Sequence, residues 1–168
     1  MIDKNYLLSL LDYNSWANDE FFKVIIKLPD NEVNKQRKSF MNSIRNSLNH
    51  LLVIDKVWVA NMRGEKHPFN NLQTILFENM NDVWNSKKNM DIEIKNYVSN
   101  LNHFELEEVV DYELIGGNKS CMSRFMIITH LIIHGGYHRG IIAEMLGHIP
   151  IPPIAQDITV WERSKQII

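Results

Sequence analysis

Cysteine is almost missing: Cys121 stands alone in 168 residues. No disulfide can close within the chain, and a zinc site built from several thiolates is excluded. With no histidine in local reach, Cys121 reads as an inert small side chain beside a helix start rather than as a nucleophile. Positive charge is not in excess either, since 18 Lys and Arg are scattered among 20 Asp and Glu for a net charge of −2. No basic stripe is available to neutralise phosphates, so nucleic acid is not expected as a direct partner. Long apolar runs are also absent. None approaches the ~18 residues of a membrane span, and Asp12 and Asn14 interrupt the N-terminal segment too early for a secretory signal. A cytoplasmic protein is expected.

What is present is an ordinary globular composition, 45% hydrophobic and 23% charged, in a chain long enough to bury a substantial core. One domain spanning 1–168 is expected, because no repeat, low-complexity tract or long linker divides it. Apolar residues recur at helical spacing through 4–28, and Pro29-Asp30 ends that run. A second helix is predicted from an N-cap at Ser39 to a stop at Gly64. Residues 65–71 read as a loop. Residues 72–101 read as a third helical region, interrupted by the polar stretch NSKKN at 85–89. Gly116-Gly117-Asn118 then marks a turn between two short segments, a minor hairpin or irregular excursion. A long fourth helix fits 122–147, stopped by Gly147 and IPIPP, and the tail AQDITVWERS can form one last short helix with Asp157 near its start. The expectation is all-α: a four-helix bundle with a small excursion before its last long helix.

The stretch HLIIHGGYHRG at 130–140 concentrates the unusual chemistry. Four of the chain's glycines lie between 135 and 147, and each glycine inside a helix costs about 1 kcal/mol relative to alanine. Gly135-Gly136 therefore calls for close approach of a neighbouring helix or ligand. Histidines four apart lie about 6 Å apart along a helix axis and about 40° around it. His134 and His138 can thus converge on one ion. His130 and His138, about 12 Å apart along the axis, cannot both join His134 on it, so one of the three is an onlooker and a further ligand must come from elsewhere.

His67, His103 and His148 fall in a loop, a polar connection and a helix end, where exposure is expected. His50 lies mid-helix in SLNHLLVIDKVW, on a face continuing through Val53, Ile54, Val57 and Trp58. One and two turns earlier that face holds Ser43, Asn46 and Ser47, the composition of a wet pocket floor. A buried histidine satisfied by one hydrogen bond is the competing explanation. No histidine follows a Glu by three positions, which excludes a di-iron carboxylate bundle, and the Glu of HExxH is replaced by Gly135. Three imidazoles without a carboxylate would leave open positions on a metal, as in catalytic zinc, where water or a thiolate can be activated. Ligation needs neutral rings, so affinity is expected to fall below about pH 6.

Four segments, DYNSWAN at 12–18, SIRNSLNHLLVIDKVW at 43–58, HLIIHGGYHRG at 130–140 and PPIAQDITVW at 152–161, together resemble the DinB/YfiT-like metalloenzyme family over nearly the whole chain. The resemblance implies a four-helix bundle in which His50, His134 and His138 bind a divalent metal, zinc or nickel. It further implies a homodimer and a small-molecule substrate, with chemistry such as thiol-dependent transfer using a low-molecular-weight thiol, or hydrolysis of a small electrophile in detoxification. A metal- or ligand-binding bundle without turnover is the alternative. The family's helix commonly reads His-Arg-Gly-Gln, whereas this chain has Ile141 at the last place. Tyr13 and Trp16 lie off the main apolar stripe and read as aromatic packing before pocket lining. Tyr137 reads as packing or support for the ligands. Asp55 and Glu144 are candidate partners for the imidazoles, but read first as ordinary helix-surface residues or salt-bridge partners of Arg139. No general base is named.

Overall fold

The structure, a computed structural model, describes residues 3–166. Among these residues the elements run α1 (Lys4–Ile25), α2 (Asp30–Asn34), α3 (Ile44–Met62), α4 (Met80–Asn100), α5 (His103–Glu107), β1 (Val109–Glu113), β2 (Lys119–Ser123), α6 (Arg124–Leu146) and α7 (Ile158–Ser164). The protein is mostly helical with one small antiparallel sheet. Helices α1 and α3 each pack against both α4 and α6, while the hairpin lies on α3 and α6 and α7 rests on α1.

Local chemistry sets most boundaries. Asp3 opens α1 by accepting from the backbone N–H of Asn5 and Tyr6 at 2.9 and 3.4 Å. The helix closes at Ile25 rather than running to Leu28, because Pro29 disfavours helical backbone in the residue before it. Helix α3 starts four residues later than an N-cap at Ser39 would place it. Asn42 takes a left-handed φ of 60°, and Ser43 accepts from Asn46 N–H at 3.2 Å instead. At its other end Gly64, with φ 71°, lets Gly64 N–H reach Asn61 O at 3.0 Å and Glu65 N–H reach Ala60 O at 2.9 Å. Those two bonds satisfy carbonyls the helix leaves open. Gly116 and Gly117, at φ 104° and 85°, make the expected turn, pairing Val109 with Ser123 through Glu113 with Lys119.

The third helical region differs more. Residues 65–79 are largely irregular, and α4 then runs unbroken through the polar stretch 85–89. That stretch does not interrupt the helix because Lys87 is buried and charge-paired. Its Nζ lies 2.8 Å from Asp55 Oδ2 on α3 and also pairs with Asp91 one turn along α4. Asn18 Nδ2 donates to Asp91 at 3.0 Å, and Arg139 Nη1 donates to Asn14 and Asn18 Oδ1 at 2.7 and 2.8 Å. Six side chains from all four long helices thus form one buried polar layer. It separates an apolar half around Leu11, Leu52, Met90 and Leu131 from one around Phe21, Leu48, Val83 and Ile142.

This layer explains the first of the paired glycines. A Cβ on Gly135 would meet Asn14 Oδ1 at 2.8 Å and Arg139 Nη1 at 3.1 Å, whereas one on Gly136 would find only Arg139 Nη2 at 3.8 Å. Adjacent substitutions should therefore act in opposite directions. Gly135→Ala is expected to lose about 1 kcal/mol net, since crowding of about 1–3 kcal/mol exceeds the helix-propensity gain of about 1. Gly136→Ala should gain up to about 1 kcal/mol. Urea midpoints of the two variants check this; equal shifts would dissociate Gly135 from the polar layer.

Candidate metal centre

Helix α3 carries His50 and α6 carries His134 and His138 on facing surfaces. Ring centroids are 4.4 Å apart for His134–His138, 4.7 Å for His50–His138 and 5.5 Å for His50–His134. One nitrogen from each ring lies within 4.8 Å of the other two, a group able to hold a metal ion. His50 and His138 are 3% and 2% exposed, which shields the nitrogens from competing water. His130 is outside the group. Its ring lies 5.3 Å from that of His134 but edge-on to Trp58 at 5.2 Å, on the wall of the cavity above.

His50 Nδ1 sits 2.9 Å from Leu72 O. A carbonyl only accepts, so Nδ1 carries the proton and Nε2 keeps its lone pair for a ligand. The loop that supplies this oxygen is fastened to the residue beside His50. Asn49 Oδ1 accepts from Leu76 and Phe77 N–H at 2.8 and 3.0 Å, and its Nδ2 donates to Phe77 O at 3.0 Å. The Nδ1 atoms of His134 and His138 are buried without a hydrogen-bond partner in the protein. Two orphaned ring nitrogens on converging imidazoles, with the third ring's tautomer fixed, fit a divalent cation.

Burial also keeps the rings neutral. It lowers the pKa of His50 despite the opposing Leu72 bond, and that of His130. Burial, reinforced by the charges of His138, His50 and His130, brings His134 down to about 3. Burial and the charge of His50 bring His138 to about 4. Loss of ligand-competent rings thus moves below the pH 6 expected for ordinary imidazoles. Because these folded-state values lie below the unfolded value of 6.5, acid protonates the unfolded chain first. Stability of the metal-free protein is full above that pH and falls as pH drops from 6.5 through about 4 for His138 and toward about 3 for His134. The urea midpoint should be lower at pH 5 than at pH 7.5, with a smaller drop in His134→Gln. An equal drop in both would sever the histidines from the acid sensitivity.

The group opens onto a cavity of about 630 Å³, whose wall includes Phe40, Trp58, Tyr112, Met122 and Tyr137. The DinB family model matches residues 1–166. The chain belongs to the DinB family. Protein DinB of Bacillus subtilis is 25% identical over 151 residues, covering 84% of this chain and 85% of that protein. The crystal structure of a DinB-like protein from Bacillus cereus superposes with a TM-score of 0.70 at 12% identity, over 89% of this chain and 94% of that one. At that identity the likeness speaks for the fold.

Other residues singled out in this DinB-family sequence lie elsewhere. Ser43 and Ser47 do not floor the cavity: Ser43 caps α3, and Ser47 Oγ donates back to Ser43 O at 2.9 Å. Asp55 is neither a surface residue nor an imidazole partner, being buried against Lys87. Glu144 is exposed, its carboxylate 3.9 Å from His148. Tyr13 packs on Trp161 at 5.8 Å and donates to Gln156 O at 2.8 Å, with Trp16 tilted against it. Tyr137 is exposed at the rim, edge-on to His138 at 5.1 Å. Ile141 lines a neighbouring cavity. His148 is exposed, His67 and His103 are half-buried, and none of them joins the group. Cys121 is exposed on β2, opposite Asp111. Sequence reasoning missed the Leu72 carbonyl, which carries no side-chain signal, and the cavity-wall role of His130.

Proposed function

We propose that this protein is a divalent-metal-dependent enzyme acting on a small electrophilic substrate, with His50, His134 and His138 as the metal ligands. The architecture is read as a four-helix bundle and a single domain over 1–168. Zinc or nickel suits the all-imidazole donor set. The observation that carries the proposal is the convergence of three uncharged imidazoles beneath an open cavity. A divalent ion there supplies Lewis acidity toward a low-molecular-weight thiol or a water nucleophile. The chain's own contributions are separate. Leu72 O holds the His50 ring in one tautomer and orientation. Trp58, 5% exposed, keeps bulk water from one side of the imidazoles. Tyr137 and Phe40 stand at the open side. The protein is taken to act as a cytoplasmic homodimer on small molecules, and light scattering after size exclusion tests the stoichiometry.

Turnover of test electrophiles with a panel of thiols, and with water alone, is expected to fall at least about 100-fold in folded His138→Ala. Equal rates in the two proteins would remove the proposal. One observation favours a second reading, a binding protein without turnover: no Asp or Glu among the described residues lines the cavity to move a proton. That reading predicts metal uptake with no acceleration of any electrophile by any thiol.

A further inference from the structure

The wall above the imidazoles has a distinctive composition. Among the described residues it contains no Asp, Glu, Lys or Arg. Phe40, Trp58, Tyr112 and Tyr137 supply four aromatic rings and Met122 a thioether. Trp58 is held edge-on to Tyr112 at 4.9 Å and to His130 at 5.2 Å, so its ring is fixed before anything binds. The next cavity along the surface, about 750 Å³, differs: Arg37, Lys38 and Glu144 lie on its wall. The two cavities share Phe40 and Tyr137, each 62% exposed. Charge is therefore found on the far side of these two rings and not on the side of the imidazoles.

We propose that the cavity above the three histidines receives a neutral aromatic group, packed against Trp58, Tyr112 and Met122 and bordered by Phe40 and Tyr137, and that the wall of the metal-free protein disfavours anionic groups. Rings pack on rings in offset or edge-on pairs at about 4.5–7 Å, and a thioether favours an aromatic edge. At about 630 Å³ the space falls within the range of about 300–1,000 Å³ typical of small-molecule sites. In the metal-free protein a carboxylate entering it would lose hydration without meeting a cation. The inference deepens the proposed function and rests on it for the reacting centre. Without metal, the selectivity of binding belongs to the wall alone.

The test uses full-length protein, metal-free for selectivity and zinc-loaded for metal uptake, titrated in the metal-free state with the matched pairs benzamide and benzoate, and 4-nitrobenzyl alcohol and 4-nitrobenzoate. Dissociation constants come from calorimetry, and location from the indole N–H resonance assigned by Trp58→Phe. The neutral member should bind metal-free protein at least about tenfold more tightly than the anion (about 1.4 kcal/mol) and should shift the Trp58 resonance. Met122→Lys, at a half-buried position, should narrow or reverse the preference. The inference is overturned if neither member binds, if benzoate matches benzamide, or if Met122→Lys leaves the ratio unchanged. Its failure is separable from that of the metal proposal. Selectivity without zinc uptake sinks only the metal centre, and zinc uptake without selectivity sinks only the aromatic subsite.

Discussion

Zinc or nickel added to metal-free protein should raise the melting temperature by about 10 °C at free metal some 1,000 times Kd, and His138→Ala should abolish the rise. One site filled only in the folded state contributes about 4 kcal/mol at that saturation, and a chain of this size shifts by about 2–4 °C per kcal/mol. The effect depends on ring nitrogens from two helices, all within 4.8 Å of one another, so the unfolded chain cannot reproduce the site. Removal of His50 should be as damaging as removal of His138. Removal of His130, outside the group, should leave the metal-induced shift intact. Scanning calorimetry, with elemental analysis of the same samples, reads both quantities. An unchanged melting temperature in wild-type protein would mean that the imidazoles meet without binding metal.

The largest loss of stability is expected from Lys87→Met, about 3–5 kcal/mol, because Asp55 and Asp91 would stay buried near each other without their shared cation. Burial already raises the pKa of Asp55, with Lys87 as the main opposing charge. Without the lysine that pKa rises further, so the folded variant holds a proton that the unfolded chain releases. Its stability relative to wild type then falls as pH rises and recovers as pH drops. The deficit should be smaller at pH 5 than at pH 8, and adding Asp55→Asn should restore part of it. Urea denaturation at the two pH values supplies the comparison. A deficit independent of pH would assign the loss to packing rather than to charge.

Those two sites were unequally legible. The inward face of His50 and the spacing of His134 and His138 follow from helical periodicity, which the structure obeys. The turns at Gly64 and Gly116-Gly117 were readable because left-handed backbone selects glycine strongly. Ser39 and Ser43 could not be ranked as caps, since the deciding feature is the φ of Asn42. The polar layer was hidden for a related reason. Lys87 and Asp55 look like surface residues one at a time, and only contact between α3 and α4 makes them a pair. Arg139, beside a histidine of the group, points instead to Asn14 and Asn18 on α1. Chemistry residing in the backbone, such as the Leu72 carbonyl, leaves no trace in residue type.

That carbonyl has a consequence for how the protein tolerates change. Asn49 grips the chain at 76–77, and the chain at 72 in turn steers the ring at 50, so two consecutive positions of α3 are tied to one another through a stretch of coil. Lengthening or shortening the coil before Leu72 leaves this closed circuit whole. Altering the few residues between Leu72 and Leu76 breaks it, and an imidazole whose own helix is untouched then loses its bearing.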